Sequence, residues 1–161
     1  MESYNQKIEI ENTNYSLYIK REDLLHSDIS GNKFRKLKYN LAKAKTEGKT
    51  TLLTFGGAFS NHILAVAAAG KEYGFKTIGI IRGEELYDKI ADNPTLQRAH
   101  DFGMVFDFVS RTMYRHKNDN DFISILAVLP VPLDCIFHNH VPCRILVYLH
   151  VLRICYSFMV N

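Results

Sequence analysis

The sequence predicts an α/β domain built on a parallel sheet, and three observations carry that expectation. Short apolar runs at residues 51–55, 77–81 and 104–109 are separated by longer stretches with helical spacing. The runs are apolar almost throughout rather than alternating, as strands covered on both faces are. The helical stretches before and between them close on glycines, Gly48, Gly74 and Gly103, the residue that most readily ends a helix.

Taken in order, Lys7-Ile8-Glu9-Ile10 and Ser16-Leu17-Tyr18-Ile19-Lys20 each alternate polar and apolar residues, with Asn12-Thr13-Asn14 between them. That pattern predicts two short strands joined by a turn. Arg21 to His26 leads into a Ser30-Gly31 turn, and a first helix is expected over residues 32–45, ending near Gly48. A buried strand over residues 51–55 precedes an alanine-rich helix over 60–73. A second strand is expected at 77–81. Asn93-Pro94 then opens another helix, with proline at its first position. A third strand follows Gly103, over residues 104–109.

The 161 residues suffice for one ordinary domain. The net charge of +3 has both signs interspersed through the first hundred residues, which argues against a dedicated nucleic-acid binder. The lysine-rich run over residues 33–49 carries Leu37, Leu41 and Ala42 at helical spacing together with Glu47, and reads as a solvated helix face. The segment from Met1 to Lys7 lacks the apolar stretch of a signal peptide. Three cysteines, Cys135, Cys143 and Cys155, make no even-numbered disulfide framework, so a cytoplasmic, reducing setting is expected. The most apolar run, residues 145–152, is too short to span a bilayer and is flanked by Arg144 and Arg153.

Two stretches bear chemistry. In Ser30-Gly31-Asn32-Lys33-Phe34-Arg35-Lys36-Leu37 a glycine turn delivers a lysine to a helix opening. In Thr54-Phe55-Gly56-Gly57-Ala58-Phe59-Ser60-Asn61-His62 a strand ends in a Gly-Gly turn and a polar Ser-Asn-His begins the next helix. The glycines permit close approach of a ligand to backbone N–H groups, or make an ordinary strand-to-helix turn. Ser60 stands where an N-cap belongs. No Gly-Lys-Ser/Thr follows and no G-x-G-x-x-G is present, which counts against a nucleotide-binding module. A lysine amine and an anion-binding helix start are two parts that pyridoxal phosphate chemistry requires.

These two stretches, together with Asn93-Pro94-Thr95-Leu96 and Ser110-Arg111-x-x-Tyr114-Arg115, resemble the pyridoxal-phosphate enzymes typified by 1-aminocyclopropane-1-carboxylate deaminase and D-cysteine desulfhydrase. Those enzymes share a fold like that of the tryptophan synthase β subunit. The resemblance runs from about Ile19 to about Lys117. It implies a lyase or deaminase acting on a small amino acid, with Lys33 forming the imine with the cofactor aldehyde and moving a proton when freed. By the same resemblance Ser60 contacts the substrate carboxylate and Asn61 the cofactor's ring oxygen. His62 is either an orienting substrate contact or a helix-surface histidine. Arg35 and Lys36 are expected to face solvent or acidic neighbours, and Tyr114 and Arg115 are assigned no chemistry. Ser60-Asn61-His62 leans toward the desulfhydrase-like branch, since the deaminases usually carry glutamine after Ser-Asn.

Chains of the resembled family are about twice this length, form two domains and pair as homodimers. The expected organisation is therefore incomplete: residues 1–35 as strands of a large domain, 36–117 as a small α/β domain, and 118–161 as an atypical tail. Glutamate is absent after Glu85, glycine after Gly103 and lysine after Lys117. No Pro-Glu-Gly-Gly segment follows, so a change of reading frame near residues 122–130 is expected, with a genuine extension as the alternative. Cys135-x-x-His138-x-His140-x-x-Cys143 is too crowded to close around one ion, and no metal is expected. A truncated, inactive remnant of such an enzyme is the alternative reading of function.

Overall fold

A computed structural model of the chain describes residues 2–12, 14–29, 31–117 and 135–138, the last four as backbone only. Strands β1 (Asn5–Ile8) and β2 (Leu17–Lys20) form an antiparallel hairpin with Asn5 opposite Lys20 and Ile8 opposite Leu17. The first strand sits two residues earlier than its alternation suggests. The ladder is extended on that side by Arg21 N–H donating to the Tyr4 carbonyl at 2.9 Å, which draws residues 4–8 into register and leaves Glu9 and Ile10 in the connection. Asn12, at φ 60°, takes the left-handed conformation within it. All of β2 is exposed.

Helix α1 (Asn32–Thr46) follows a 3-10 turn over Glu22–Leu24. Leu37, Leu41 and Ala44 form its buried stripe at spacings of four and three, with Lys43 and Lys45 in its last turn, where cations suit the helix dipole. Then β3 (Thr51–Gly57), α2 (Asn61–Tyr73), β4 (Lys76–Arg82), α3 (Pro94–Asp101) and β5 (Met104–Val109) alternate as the sequence predicts, and a short α4 (Arg111–Arg115) that the sequence pattern did not announce follows. Gly74, left-handed at φ 78°, closes α2. The buried Asn93 caps α3, its side-chain oxygen accepting from the Thr95 and Leu96 N–H groups at 3.0 Å each. A 3-10 turn over Glu84–Lys89 had no signal in the sequence pattern.

The sheet order is β5-β4-β3-β6, parallel throughout, where β6 is Cys135–His138. Thus four residues of the expected tail add an edge strand, and the rest of residues 118–161, with the expected frame change, lies outside the described residues. Leu52 and Ile81 share one cluster with Leu37, Ile63, Val66 and Leu96 of α1 to α3. Leu53, Phe55, Ile80 and Val109 form a second cluster against Met113 and Tyr114. This is the period-two division that places successive strand side chains on opposite faces.

Candidate active site

The opening of α2 is built at the carboxyl end of β3, the edge at which open α/β sheets bind ligands. Ser60 is extended (φ −82°, ψ 114°), and its hydroxyl oxygen accepts from the His62 N–H at 3.3 Å, so it caps the helix as its position suggests. Ser60 N–H itself donates to the Gly57 carbonyl at 3.0 Å, closing the turn. Asn61 is the first helical residue and is exposed, and among the described residues its side chain makes no hydrogen bond. His62 is half-buried, and its Nε2 shares a hydrogen bond of 2.9 Å with Oγ1 of the fully buried Thr54. The histidine therefore ties the first turn of α2 back to β3.

The two glycines differ. A Cβ on Gly56 would lie 2.4 Å from Ile63 Cγ1 and 2.8 Å from its Cδ1, so glycine is required there for α2 to pack on β3. A Cβ on Gly57 would meet only Arg82 Nη2, at an ordinary 3.7 Å, and Gly57 is not among the positive-φ residues. Close packing thus explains Gly56 and leaves Gly57 available for ligand approach. Arg82, opposite Gly57 in the ladder, lies with its guanidinium carbon 5.8 Å from the Tyr114 ring centre. Burial pushes the Tyr114 hydroxyl above the usual phenol range, partly offset by Arg82.

Lys33 is the second residue of α1 and is half-buried. It follows Gly31, whose φ of 63° and ψ of −141° suit only glycine. Ser30 lies outside the described residues. Among the described residues Lys33 enters no ion pair. Arg35 does face an acidic neighbour: its Nε and Nη2 donate to the two Glu22 carboxylate oxygens at 2.5 and 2.8 Å. Ser3 Oγ adds a third donor at 2.8 Å. Arg35 first, then Ser3, hold the Glu22 carboxyl down at about 2.

The loop before Lys33 is fastened elsewhere. His26 Nδ1 accepts from the Asp28 and Ile29 N–H groups at 3.0 Å each, so its proton is on Nε2, which donates to Glu72 at 2.8 Å. Asp28 also pairs with Arg98 of α3. Glu72 lies in the last turn of α2, about 18 Å along the helix from the Ser60 cap. Ser60, Asn61 and His62 thus come together, whereas no hydrogen bond or ion pair among the described residues joins Lys33 to them.

Thr54 and Glu22 were not foreseen. A threonine inside an apolar strand, eight residues before a histidine at a helix start, was the available signal for the first. For Glu22 there was only the charged Arg21-Glu22-Asp23 triplet. No group of metal ligands occurs among the described residues, and of the Cys/His cluster only Cys135 and His138 fall within them. No helix among the described residues is long and apolar enough to cross a membrane.

No protein-family model matches the chain. Over 70 residues, 44% of this chain, it is 43% identical to a putative 1-aminocyclopropane-1-carboxylate deaminase of Pyrococcus abyssi, covering 21% of that protein. It is 44% identical over 71 residues to one of Thermotoga maritima, covering 44% of this chain and 23% of that relative. Identity to the D-cysteine desulfhydrase of Salmonella paratyphi B is 38% over 65 residues, 40% of this chain and 20% of the relative. A crystal structure of an ACC deaminase homologue aligns with a TM-score of 0.62 at 26% identity, over 86% of this chain and 42% of that one. The resemblance read from the motifs is thus borne out over part of the chain, which spans less than half of the proteins it matches.

Proposed function

We propose that this chain carries the lysine-bearing and substrate-anchoring portion of a pyridoxal-phosphate lyase or deaminase for a small amino acid, of the D-cysteine desulfhydrase or 1-aminocyclopropane-1-carboxylate deaminase type. What carries the reading is the Ser60-capped opening of α2, with Asn61 exposed beside it, in a chain similar to relatives bearing those two names. The donor set fits the cofactor: a lysine amine free of ion pairs among the described residues, a hydroxyl, an amide, and helix-start N–H groups. When bound, pyridoxal phosphate supplies an electrophilic aldehyde and an electron-withdrawing ring.

The chain's own residues would divide the remaining work. Lys33 would hold the cofactor through its amine, and that amine, when free, can move a proton. Ser60 and the amides of the first turn of α2 bind the substrate carboxylate, and Asn61 orients the ring through its oxygen. His62, fixed on Thr54, keeps that turn in place beside the substrate. The cytoplasm is the setting we assign, and a homodimer the assembly of the full-length enzyme.

Borohydride treatment in the presence of pyridoxal phosphate should fix a pyridoxyl group on the peptide containing Lys33. Labelling of that peptide that persists in Lys33→Ala would refute the assignment. A second reading, that the chain alone is not a competent enzyme, is favoured by the His26–Glu72 and Asp28–Arg98 contacts, which hold the lysine loop toward the far end of α2. On that reading dialysed chain retains no stoichiometric cofactor and releases no ammonia, α-keto acid or sulfide from D-cysteine or aminocyclopropane carboxylate. Retention with turnover of either substrate would overturn it.

A further inference from the structure

Two residues before Lys33 stands a glycine at positive φ, two residues after it an arginine, and one residue eleven positions upstream of Lys33 holds both. The Glu22 carbonyl accepts from the Gly31 N–H at 3.1 Å, while its carboxylate takes Arg35 Nε at 2.5 Å and Nη2 at 2.8 Å. We infer that Glu22 is a positioning residue for Lys33, bracketing the turn that bears the amine from both sides. This rests on the reading of Lys33 as the cofactor-bonding lysine.

The geometry argues for a device beyond helix stability. A bidentate carboxylate–guanidinium pair fixes direction as well as distance, because both groups are planar and meet along two parallel hydrogen bonds. Arg35 lies in the first turn of α1, where a cation opposes the helix dipole, so its place there needs another cause. Its pairing with Glu22 supplies one. Gly31, at φ 63°, is the pivot of the turn, and its N–H is pinned by the same residue that pins Arg35. Ser3 closes the fourth side, donating to Glu22 Oε1 at 2.8 Å. The carboxyl, held at about 2, remains ionised across the working range of any such enzyme.

The test compares labelling at each lysine of the full chain by peptide mapping after pyridoxal phosphate and borohydride, in the parent, Glu22→Gln and Arg35→Lys. Glutamine keeps the shape but not the charge, and lysine keeps the charge but not the paired donors. In the parent, Lys33 should label ahead of Lys36 and Lys38. Both variants should lower the Lys33 share about tenfold, within the roughly 100-fold that a misplacement of about 1 Å of a reacting group can cost. Amide exchange along α1 beyond its first turn should stay unchanged. A Lys33 share unaltered in both variants would overturn the inference while leaving Lys33 as the reactive lysine. An equal loss at Lys36 and Lys38, with faster exchange through to Thr46, would reduce Glu22 to a structural ion pair and overturn it as well. No preference for Lys33 in the parent would remove the reading of Lys33 and the inference together.

Discussion

Replacing Gly56 by alanine separates the packing role of the Gly-Gly turn from its role toward a ligand. The new Cβ would stand 2.4 Å from Ile63 Cγ1 and 3.2 Å from Ser60 Cβ. Ile63 has no exposed surface, so its side chain has nowhere to swing, and α2 must move off β3. Overpacking of this kind costs about 1–3 kcal/mol, offset by about 0.4–1 kcal/mol from the lower entropy of the unfolded alanine chain. The net expectation is a loss of about 1–2 kcal/mol. Gly57→Ala, whose Cβ meets only Arg82 Nη2 at 3.7 Å, should be neutral or stabilising by up to about 1 kcal/mol. Urea unfolding followed by circular dichroism gives both from the midpoints, provided the slopes agree. Ile63→Ala alone should cost about 2–5 kcal/mol, but the double variant should cost less than the sum by about 1 kcal/mol or more, since truncation removes both clashing atoms. Equal midpoints for Gly56→Ala and Gly57→Ala, or strict additivity with Ile63→Ala, would refute the packing argument.

Three further outcomes follow from the contacts. The Glu22 carboxyl is depressed from its ordinary 4.5 to about 2, so the stability it lends is full above pH 4.5 and lost as pH falls toward 2. Acid titration of unfolding should show that loss in the parent and a smaller one in Glu22→Gln. Asn93→Ala strips the acceptor from two N–H groups at a buried cap and should cost about 1–2 kcal/mol by unfolding midpoint, while Asn93→Asp, which keeps the acceptor, should cost clearly less. Thr54→Val removes the hydroxyl that His62 Nε2 meets at 2.9 Å, at a cost of about 1 kcal/mol, and should move the histidine's ring resonances in NMR spectra. Unmoved resonances would mean that Thr54 does not hold the ring.

Much of this fold was legible because its punctuation is local. Gly74 at φ 78° and Gly48 at φ 64° end helices where the sequence places glycines, and Ser60 and Asn93 cap where hydroxyl or amide side chains precede apolar spacing. The parallel order follows from strands too apolar to have a wet face. What escaped depends on partners distant in sequence. The start of β1 is set by Arg21 reaching back to Tyr4, and β6 by an edge of β3 more than eighty residues earlier. Neither leaves a periodic trace. The hairpin came as two short strands joined by a turn, but alternation says nothing of what packs on it, and Leu17, Tyr18 and Ile19 remain about half exposed (44%, 56% and 48%).

At the site the residues divide by whether the fold already accounts for them. Ser60 is accounted for as a cap, Gly56 by Ile63, His62 by Thr54, and Arg35 by Glu22. A residue with a structural task would be kept in its place whether or not any ligand came, so these four say little about chemistry by themselves. Gly57, Asn61 and Lys33 are different. Gly57 has neither a positive φ nor a close neighbour, Asn61 is exposed at a helix opening with its amide unused among the described residues, and Lys33 is half-buried without an ion pair among them. Folding does not require a glycine, an amide or an amine at these three places, yet each is what a cofactor with an aldehyde, a ring oxygen and a close approach to backbone would require. The functional reading therefore joins to the capped opening of α2 the residues that the fold leaves idle, and Glu22 matters because it pins both ends of the turn that bears Lys33.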